Sequence, residues 1–487
     1  MKEKVLICRC DTYDPDLIEK VIGRGMDELG IVPKGRVLVK PNLVIAHKDL
    51  FPHAFTRPEF TDGLLAAVKA RGKGMSELAV GERCGITMPT RFVFSNAGYN
   101  KIVRKHGVKR YFFDECVQVE RRLKHPDRLR DTIYIPQPID ECDFLISLPK
   151  LKSHPWTRIT IALKNFIGLQ NDPHRLIDHD YMLETKIADL QEVIQPSFIA
   201  VDAIMAGELK MLTPKPYHIG AILMGTNPVA IDTVACAMIG FDPYDVPHLK
   251  KSAERGYGPI EIDDVELGGD YPLEEARKKA KKFRVPIDKV DADLNTRTNL
   301  TTYVGKPPNP KKSDYCWGGC PGSLIEAMEI VKTMQPDVDR EVRSNHYVFG
   351  HYEGEINARP GEKVILCGDC AAYKGEICGR EINEKSRYVI RHKKNPANAR
   401  AKDLVARIIM FILNIIFNHR KQVIRARGCP VSVAENVLYL WQPGGTINPY
   451  FDPRIVLPFA FYYVVSNIVI LYRRTILRQP EMMKKKE

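Results

Sequence analysis

Short apolar runs alternate with amphipathic segments over residues 1–240, and this alternation constrains the fold more than any other feature of the chain. Val5–Ile7, Arg36–Lys40, Leu78–Val80, Tyr111–Phe113, Phe144–Leu148, Phe198–Val201 and Ala221–Met224 read as strands. Between them, Asp14-Pro15 opens a helix that Gly30 stops, Pro58–Ala70 gives a second, and Phe92–Lys105, capped by Thr90, a third. Asn227-Pro228 opens a fourth, with Val229, Ala230, Val234, Met238 and Ile239 on one face. Strands this apolar must be covered on both faces, so the alternation predicts an α/β fold: a mostly parallel sheet with helices on both sides. Ligands of such sheets sit beyond the carboxyl ends of the strands.

A chain of 487 residues exceeds one ordinary core, so more than one compact unit is expected. The run Glu274–Lys282 is highly charged, and Lys306–Lys312 is rich in proline and lysine. These features predict an α/β domain over 1–268, a linker over 269–312, and a smaller α/β cysteine-bearing domain over 313–487. A hydrophobic fraction of 44% with 27% charged residues excludes a disordered, fibrous or polytopic membrane protein. The net charge of +13 favours anionic partners. The opening MKEKVLICRCDTYDP carries an acid and too short an apolar run for a secretory signal. A cytoplasmic chain with reduced thiols is expected, peripheral on the inner face of the membrane if it meets one.

Polar residues of the first half collect where strands end. Lys40-Pro41-Asn42 follows one strand, Pro149-Lys150-Leu151-Lys152-Ser153-His154 another, and Lys164-Asn165 lies in a third segment. His174, His179, Asp180, Asp202 and Asp232 come after them. We expect Lys40, Asn42, Lys150, Lys152, Lys164, Asn165 and Asp232 to line one crevice that takes an anionic small molecule, a carboxylate or phosphate. His154, His179 and Asp202 would serve proton transfer there. The other reading is solvated lysines, a turn at Pro41-Asn42, and Asp232 stabilising a helix N-terminus.

The KPN after a strand, P-K-x-K-x-H, T-x-x-L-K-N-x-x-G, H-x4-H-D with Ile187-Ala188-Asp189-Leu190, and N-P-V-A-x-D occur in order over about residues 35–260. In these motifs the sequence resembles the domain of unknown function 362 family. The resemblance implies a domain sometimes found with iron–sulphur centres. Its usual glycine-rich stretch is replaced here by the run Gly207–Pro214.

Six cysteines mark the second half: Cys316-Trp-Gly-Gly-Cys320-Pro, Cys367-Gly-Asp-Cys370, Cys378, and Gly428-Cys429-Pro430. Cys142 and Cys236, inside apolar runs, read instead as small buried hydrophobes. Adjacent glycines let backbone N–H groups approach thiolate sulphurs. Four thiolates suit a [4Fe–4S] cluster or a tetrahedral zinc ion. Only Cys367/Cys370 has the C-x2-C spacing of a zinc knuckle.

Cys316-x3-Cys320-Pro-Gly-Ser before a helix, a strand leading into Gly368-Asp-Cys370-Ala-Ala-Tyr-Lys-Gly, and a late Gly428-Cys429-Pro430 resemble the small subunit of nickel–iron hydrogenases. They are equally similar to the related cluster-bearing subunit of NADH–quinone oxidoreductase. That resemblance implies Cys316, Cys320, Cys370 and Cys429 as ligands, with Cys367 and Cys378 as additional thiols. The x3 spacing, the single Pro430 and Lys374-Gly375 depart from those patterns. No second pair of C-x2-C motifs supplies a nickel site, so hydrogenase activity is not expected.

Leu404–Phe417 is almost wholly apolar, and Ile455–Tyr472 runs 18 residues without a charge between Arg454 and Arg473-Arg474. We expect Ile455–Tyr472 as a helix buried against the cluster domain, with a basic-flanked membrane-surface helix and a true span as alternatives. The basic stretch Lys385–Arg427 suits an acidic electron carrier such as ferredoxin or flavodoxin. No nucleic-acid motif accompanies it. The functional expectation is an iron–sulphur oxidoreductase acting on an anionic substrate. The alternatives are a non-catalytic electron-transfer or assembly protein and a zinc-stabilised ligand-binding protein.

Overall fold

A computed structural model describes residues 2–85, 88–171, 174–175, 182–285, 289–307, 315–316, 319–387 and 421–484. His179, Asp180, the apolar run 404–417 and most of the basic stretch 385–427 lie outside these residues.

The chain forms two compact units. The first comprises Met1–Asp172, Leu183–Pro286 and Leu457–Glu487; the second comprises Pro173–Met182 and Ile287–Val456. In the first unit the strands are β1 (Glu3–Arg9), β2 (Gly35–Pro41), β3 (Met75–Glu82), β4 (Lys109–Phe112), β5 (Gln118–Arg122), β6 (Thr132–Pro136), β7 (Phe144–Leu148), β8 (Lys150–His154), β9 (Arg158–Thr160), β10 (Phe198–Glu208), β11 (Lys215–Gly225) and β12 (Val265–Gly268). The main sheet runs β12-β1-β11-β10-β7-β2-β3-β4, with β8 beside β10 and β9 beside β8. Pairing is parallel except where β11 meets β1 and β10, and where β9 meets β8. The runs Val37–Val39 and Phe144–Leu148 pair in register, Val37 with Phe144 and Val39 with Ile146. Both are buried on both faces, which is why they read as unbroken apolar stretches.

Local chemistry sets the helices. Asn227 caps the helix Pro228–Ile239 by accepting from Val229 N at 2.9 Å and Ala230 N at 3.0 Å. Gly30, at φ +66°, follows the first helix, Pro15–Glu28.

Several expectations are corrected. The helix expected over Phe92–Lys105 is two, Thr90–Asn96 and Tyr99–His106, because Gly98 turns left-handed at φ +83° between them. Thr90 is its first helical residue rather than its cap, and Pro89 occupies the cap position. The lysine segment after β7 is itself a strand, β8, buried at every residue. The expected linker over 269–312 contains the helices Leu273–Ala280 and Val290–Arg297 and the strand β13 (Thr301–Val304). Its charges sit on the solvent side of helical turns: Glu274, Glu275, Lys278 and Lys279 are exposed while Ala276 and Ala280 are buried.

The C-terminal segment also departs from expectation. The helix Pro453–Thr475 is not a core helix, for only 6% of its most apolar window is buried. It docks on the first unit along one stripe. Phe459 meets Phe92 edge-on at 5.6 Å, Tyr462 OH bonds Ser95 Oγ at 3.1 Å, and Ser466 Oγ bonds Glu115 Oε1 at 2.7 Å. Beyond it, β18 (Met482–Lys484) adds a parallel strand to β5, which pairs antiparallel with β6.

In the second unit, β14 (His346–Glu353), β15 (Val364–Ile377), β16 (Arg380–Glu384) and β17 (Val423–Ala426) join β13 in the order β13-β14-β15-β16, with β17 on β15. All pairs are parallel except β15–β16. Val348, Leu366, Ala371, Tyr373 and Ile377 form its core. The helix Cys320–Lys332 is tied to Val433–Trp441 through Asn436 Nδ2, which donates to Ser323 Oγ at 3.1 Å.

Candidate functional site

The carboxyl ends of β1, β2, β3 and β7 bring polar side chains to one edge of the main sheet. Lys40, near the end of β2, is 1% exposed and pairs with Glu82, the last residue of β3, at 2.9 Å. Its ammonium also donates to Pro41 O at 3.1 Å and Asn165 Oδ1 at 3.2 Å. Glu82 in turn accepts the backbone N–H groups of Leu43 and Arg83, at 3.1 and 2.8 Å. Burial raises the Glu82 carboxyl, and Lys40 opposes that rise.

Lys150 and Asp202 form a second pair at 2.9 Å, with both side chains fully buried. Tyr13, just beyond β1, completes it: its hydroxyl accepts from Lys150 Nζ at 2.8 Å and donates to Asp202 Oδ1 at 2.7 Å. Arg57 N donates to Asp202 Oδ2 at 3.2 Å. Burial lowers Lys150 and pushes the Tyr13 phenol well up, the latter reinforced by the Asp202 charge. His53 lies close enough for the Lys150 and Arg57 charges to act on it; burial first and then these cations depress it to about 4. Its Nδ1 is buried and finds no hydrogen-bond partner among the described residues.

The remaining predicted residues divide by role. Lys152 is buried and donates to the carbonyls of Ala54 and Met211. Asn165 links three segments: it accepts from Lys40 and from Asn42 Nδ2 at 3.4 Å, and donates to Ser147 Oγ at 3.0 Å. Asn42 Oδ1 is buried with no donor among the described residues. His154 Nδ1 accepts from Trp156 N at 3.1 Å and Thr157 N at 3.3 Å, pinning the turn into β9. Asp232 accepts from Ala162 N at 2.8 Å and Leu163 N at 3.2 Å, so it holds the start of the 3-10 segment Leu163–Leu169 that carries Lys164 and Asn165. Burial pushes its carboxyl up to about 7, opposed by those two amides. The charge of Lys164 reaches His248, whose imidazole is fully buried and held neutral down to about 3, chiefly by desolvation.

The expected row of open ammonium groups is thus a set of buried, internally paired ones. An unpaired ammonium in this interior costs several kcal/mol, and Lys40, Lys150 and Lys152 each carry their own acceptors. The sequence reading missed Tyr13, Glu82 and His53. Glu82, which closes its strand, and Tyr13, soon after its own, carried the same strand-end signal as Lys40.

The cysteines form a separate candidate centre in the second unit. Cys320 opens its helix, and Cys370 follows Gly368, which stands at φ +102°. A Cβ placed on Gly368 would lie 2.9 Å from Cys320 Sγ, 3.6 Å from Cys370 Sγ and 3.4 Å from Gly428 O. The Gly428–Cys429 loop is pinned beside them: Asp369 N donates to Gly428 O at 3.0 Å, and Gly428 N to Asp369 Oδ1 at 3.1 Å. Val431 N donates to Cys320 Sγ at 3.3 Å. Burial pushes the Cys320 thiol well up, and Cys370, Cys367 and Cys316 act on it electrostatically in the same direction. Cys378 is exposed, beyond the end of β15, with its thiol on Ala358 O. Among the described residues, no three His, Cys, Asp or Glu side chains form a single-ion site. Zinc needs its thiolates about 3.8 Å apart, from bonds of about 2.3 Å in tetrahedral array. A cubane spreads four cysteine sulphurs around a larger body.

A two-unit α/β protein with a buried ionic network at its strand ends and a nest of thiols is the class that these features define. Residues 37–237 match the family described as Domain of unknown function (DUF362). The thylakoid-associated protein sll1697 of Synechocystis sp. (strain ATCC 27184 / PCC 6803 / Kazusa) is 23% identical over 308 residues, covering 59% of this chain and 91% of that protein. Among solved structures, the lactate racemase apoprotein from Thermoanaerobacterium thermosaccharolyticum aligns with TM-score 0.30 and 11% identity, over 72% of this chain and 69% of that one. A Thermotoga maritima protein aligns with TM-score 0.29 and 11% identity, over 68% and 81%.

Proposed function

We propose that this is an iron–sulphur redox protein, in which Cys316, Cys320, Cys370 and Cys429 hold a [4Fe–4S] cluster. The observation that carries the reading is the approach of Cys320 and Cys370 to one side of Gly368, where a Cβ would lie 2.9 Å from one sulphur and 3.6 Å from the other. When bound, such a cluster supplies one-electron transfer at a potential tuned by its surroundings. Val431 N donates to a sulphur there and would stabilise thiolate charge.

In the same proposal the strand-end network binds an anionic small molecule and holds a proton for it. Lys150 commits two ammonium hydrogens to Tyr13 and Asp202, leaving a third for an anionic group. Tyr13 bridges Lys150 and Asp202, so a proton can shift between ammonium and carboxylate without a charge becoming unpaired. Asn42 Oδ1, buried beside this network, favours a substrate that also carries a hydroxyl or N–H donor. Lys40, Lys152 and Asp232 act by holding the edge in shape.

The net charge of +13 supports an acidic electron carrier, ferredoxin or flavodoxin, as redox partner. It equally favours the second reading, an electron-transfer protein without a substrate. The thylakoid-associated relative supports a peripheral membrane location. Anaerobic purification with iron, sulphide and zinc quantification tests the cluster. About four irons with matching sulphide support it, and one zinc without iron overturns it. Loss of function in Lys150→Ala, with iron content and the thermal transition of the α/β unit both kept, favours the substrate reading over a carrier role.

A further inference from the structure

The helix Pro453–Thr475 has two opposite faces, and among the described residues only one has a partner. Toward the α/β unit it sets Phe459, Tyr462, Ser466 and Arg473, of which Ser466 and Arg473 are both buried against Glu115. Away from that unit it sets Leu457, Phe461, Val464, Ile468 and Leu471, spaced at three and four residues along one side. Leu457 is 66% exposed, Phe461 62% and Ile468 59%. An apolar ridge of this length is rarely left to water.

Charge identifies what covers it. The open pocket beside Val469, on this helix, is lined by Arg91, which pairs with Glu115 at 2.6 Å, and by Lys109, which pairs with Glu77 at 2.8 Å. It is also lined by Arg110, whose guanidinium bonds the neutral Asn100 Oδ1 and so keeps its charge uncompensated there. Arg478 and Lys484, past the end of the helix, are exposed. An apolar ridge bordered by cations matches the boundary between acyl chains and anionic headgroups. A second protein would have to match the ridge and the cations separately.

We infer that this face docks on an anionic lipid bilayer, with the helix lying in the interface and a phosphate headgroup held near Lys109 and Arg110. A spanning arrangement is disfavoured, because it would break the Tyr462, Ser466 and Arg473 contacts and leave the buried Arg473 without its acceptor. The inference rests on the peripheral location proposed above and adds the surface, its orientation and the lipid class.

The test is vesicle flotation of the full-length protein, using phosphatidylcholine alone and phosphatidylcholine mixed equally with phosphatidylglycerol. The variants are Phe461→Glu/Ile468→Glu and Lys109→Glu/Arg110→Glu, each checked for fold by circular dichroism. Wild type should float with the anionic vesicles. The first variant should lose binding about tenfold or more, and the second should lose the preference for anionic lipid. Equal flotation of wild type and the first variant overturns the inference. Wild type that dimerises through this face and ignores vesicles also overturns it. Wild type found on cell membranes but not on vesicles keeps the peripheral location and overturns the lipid-docking helix. Wild type found on neither overturns both.

Discussion

Cys320 and Cys370, fifty residues apart in sequence, approach the empty side of Gly368 from two different elements, a helix start and a strand. Gly368 stands at φ +102°, where any Cβ is strained, and its missing side chain is what leaves the two sulphurs room. Gly368→Ala should therefore cost about 1–3 kcal/mol of backbone strain and strip most of the iron. Gly379→Ala shares the positive φ, but its Cβ would meet only Glu376 at 3.9 Å. That variant should lose comparable stability and keep its iron. Thermal melts with iron analysis on both variants check the pair of outcomes.

The buried Lys150–Asp202 pair predicts an asymmetry. Lys150→Met leaves a carboxylate buried with fewer partners and should destabilise the fold by about 3–5 kcal/mol. Adding Asp202→Asn should restore part of that loss. Urea unfolding measures both, and a single variant within about 1 kcal/mol of wild type would contradict the network.

Asp232 and His248 give stability terms that oppose each other with pH. Asp232 titrates at about 7 when folded against 3.8 ordinarily, so the folded state holds an extra proton between those values and stability falls as pH rises through them. His248 titrates at about 3 when folded against 6.5 ordinarily; the unfolded chain holds the extra proton there, and stability rises with pH. Each slope is about 1.4 kcal/mol per pH unit, so the two nearly cancel between about pH 4 and 6.5. His248→Phe should expose the falling slope and Asp232→Asn the rising one. Unfolding free energies at several pH values in this window decide it; parallel profiles for wild type and both variants would refute the assignment.

Glu115 holds the C-terminal helix twice, its carboxylate accepting from Ser466 Oγ and its backbone carbonyl from Arg473 Nη1, while the carboxylate also holds Arg91 at 2.6 Å. Alanine here removes the carboxylate contacts and keeps the carbonyl. Glu115→Ala should loosen that helix without unfolding the α/β unit. Limited proteolysis should then cut within 453–475 several times faster than in wild type, with the main thermal transition shifted by less than about 2 kcal/mol.

How much of this was legible in the sequence follows from physics that differs between sites. Strands such as Phe144–Leu148 announce themselves because burial on both faces leaves no polar position. Asn227-Pro228 announces its helix because cap chemistry is local. Lys150–His154 hid as a strand because its polar residues are satisfied by partners remote in sequence, such as Tyr13 and Ala54. The break at Gly98 hid inside a helical pattern whose apolar spacing continues on both sides. The burial state of the C-terminal helix was not legible, since apolar residues at helical spacing look alike whether they face a core or a bilayer.

Electron paramagnetic resonance of the dithionite-reduced, full-length protein tests the central claim most directly, with Cys370→Ser and Cys378→Ser measured alongside. A reduced-cluster signal in wild type and Cys378→Ser, lost or altered in Cys370→Ser, is the predicted result. No signal in wild type, or the same signal in all three, would contradict a cluster held beside Gly368.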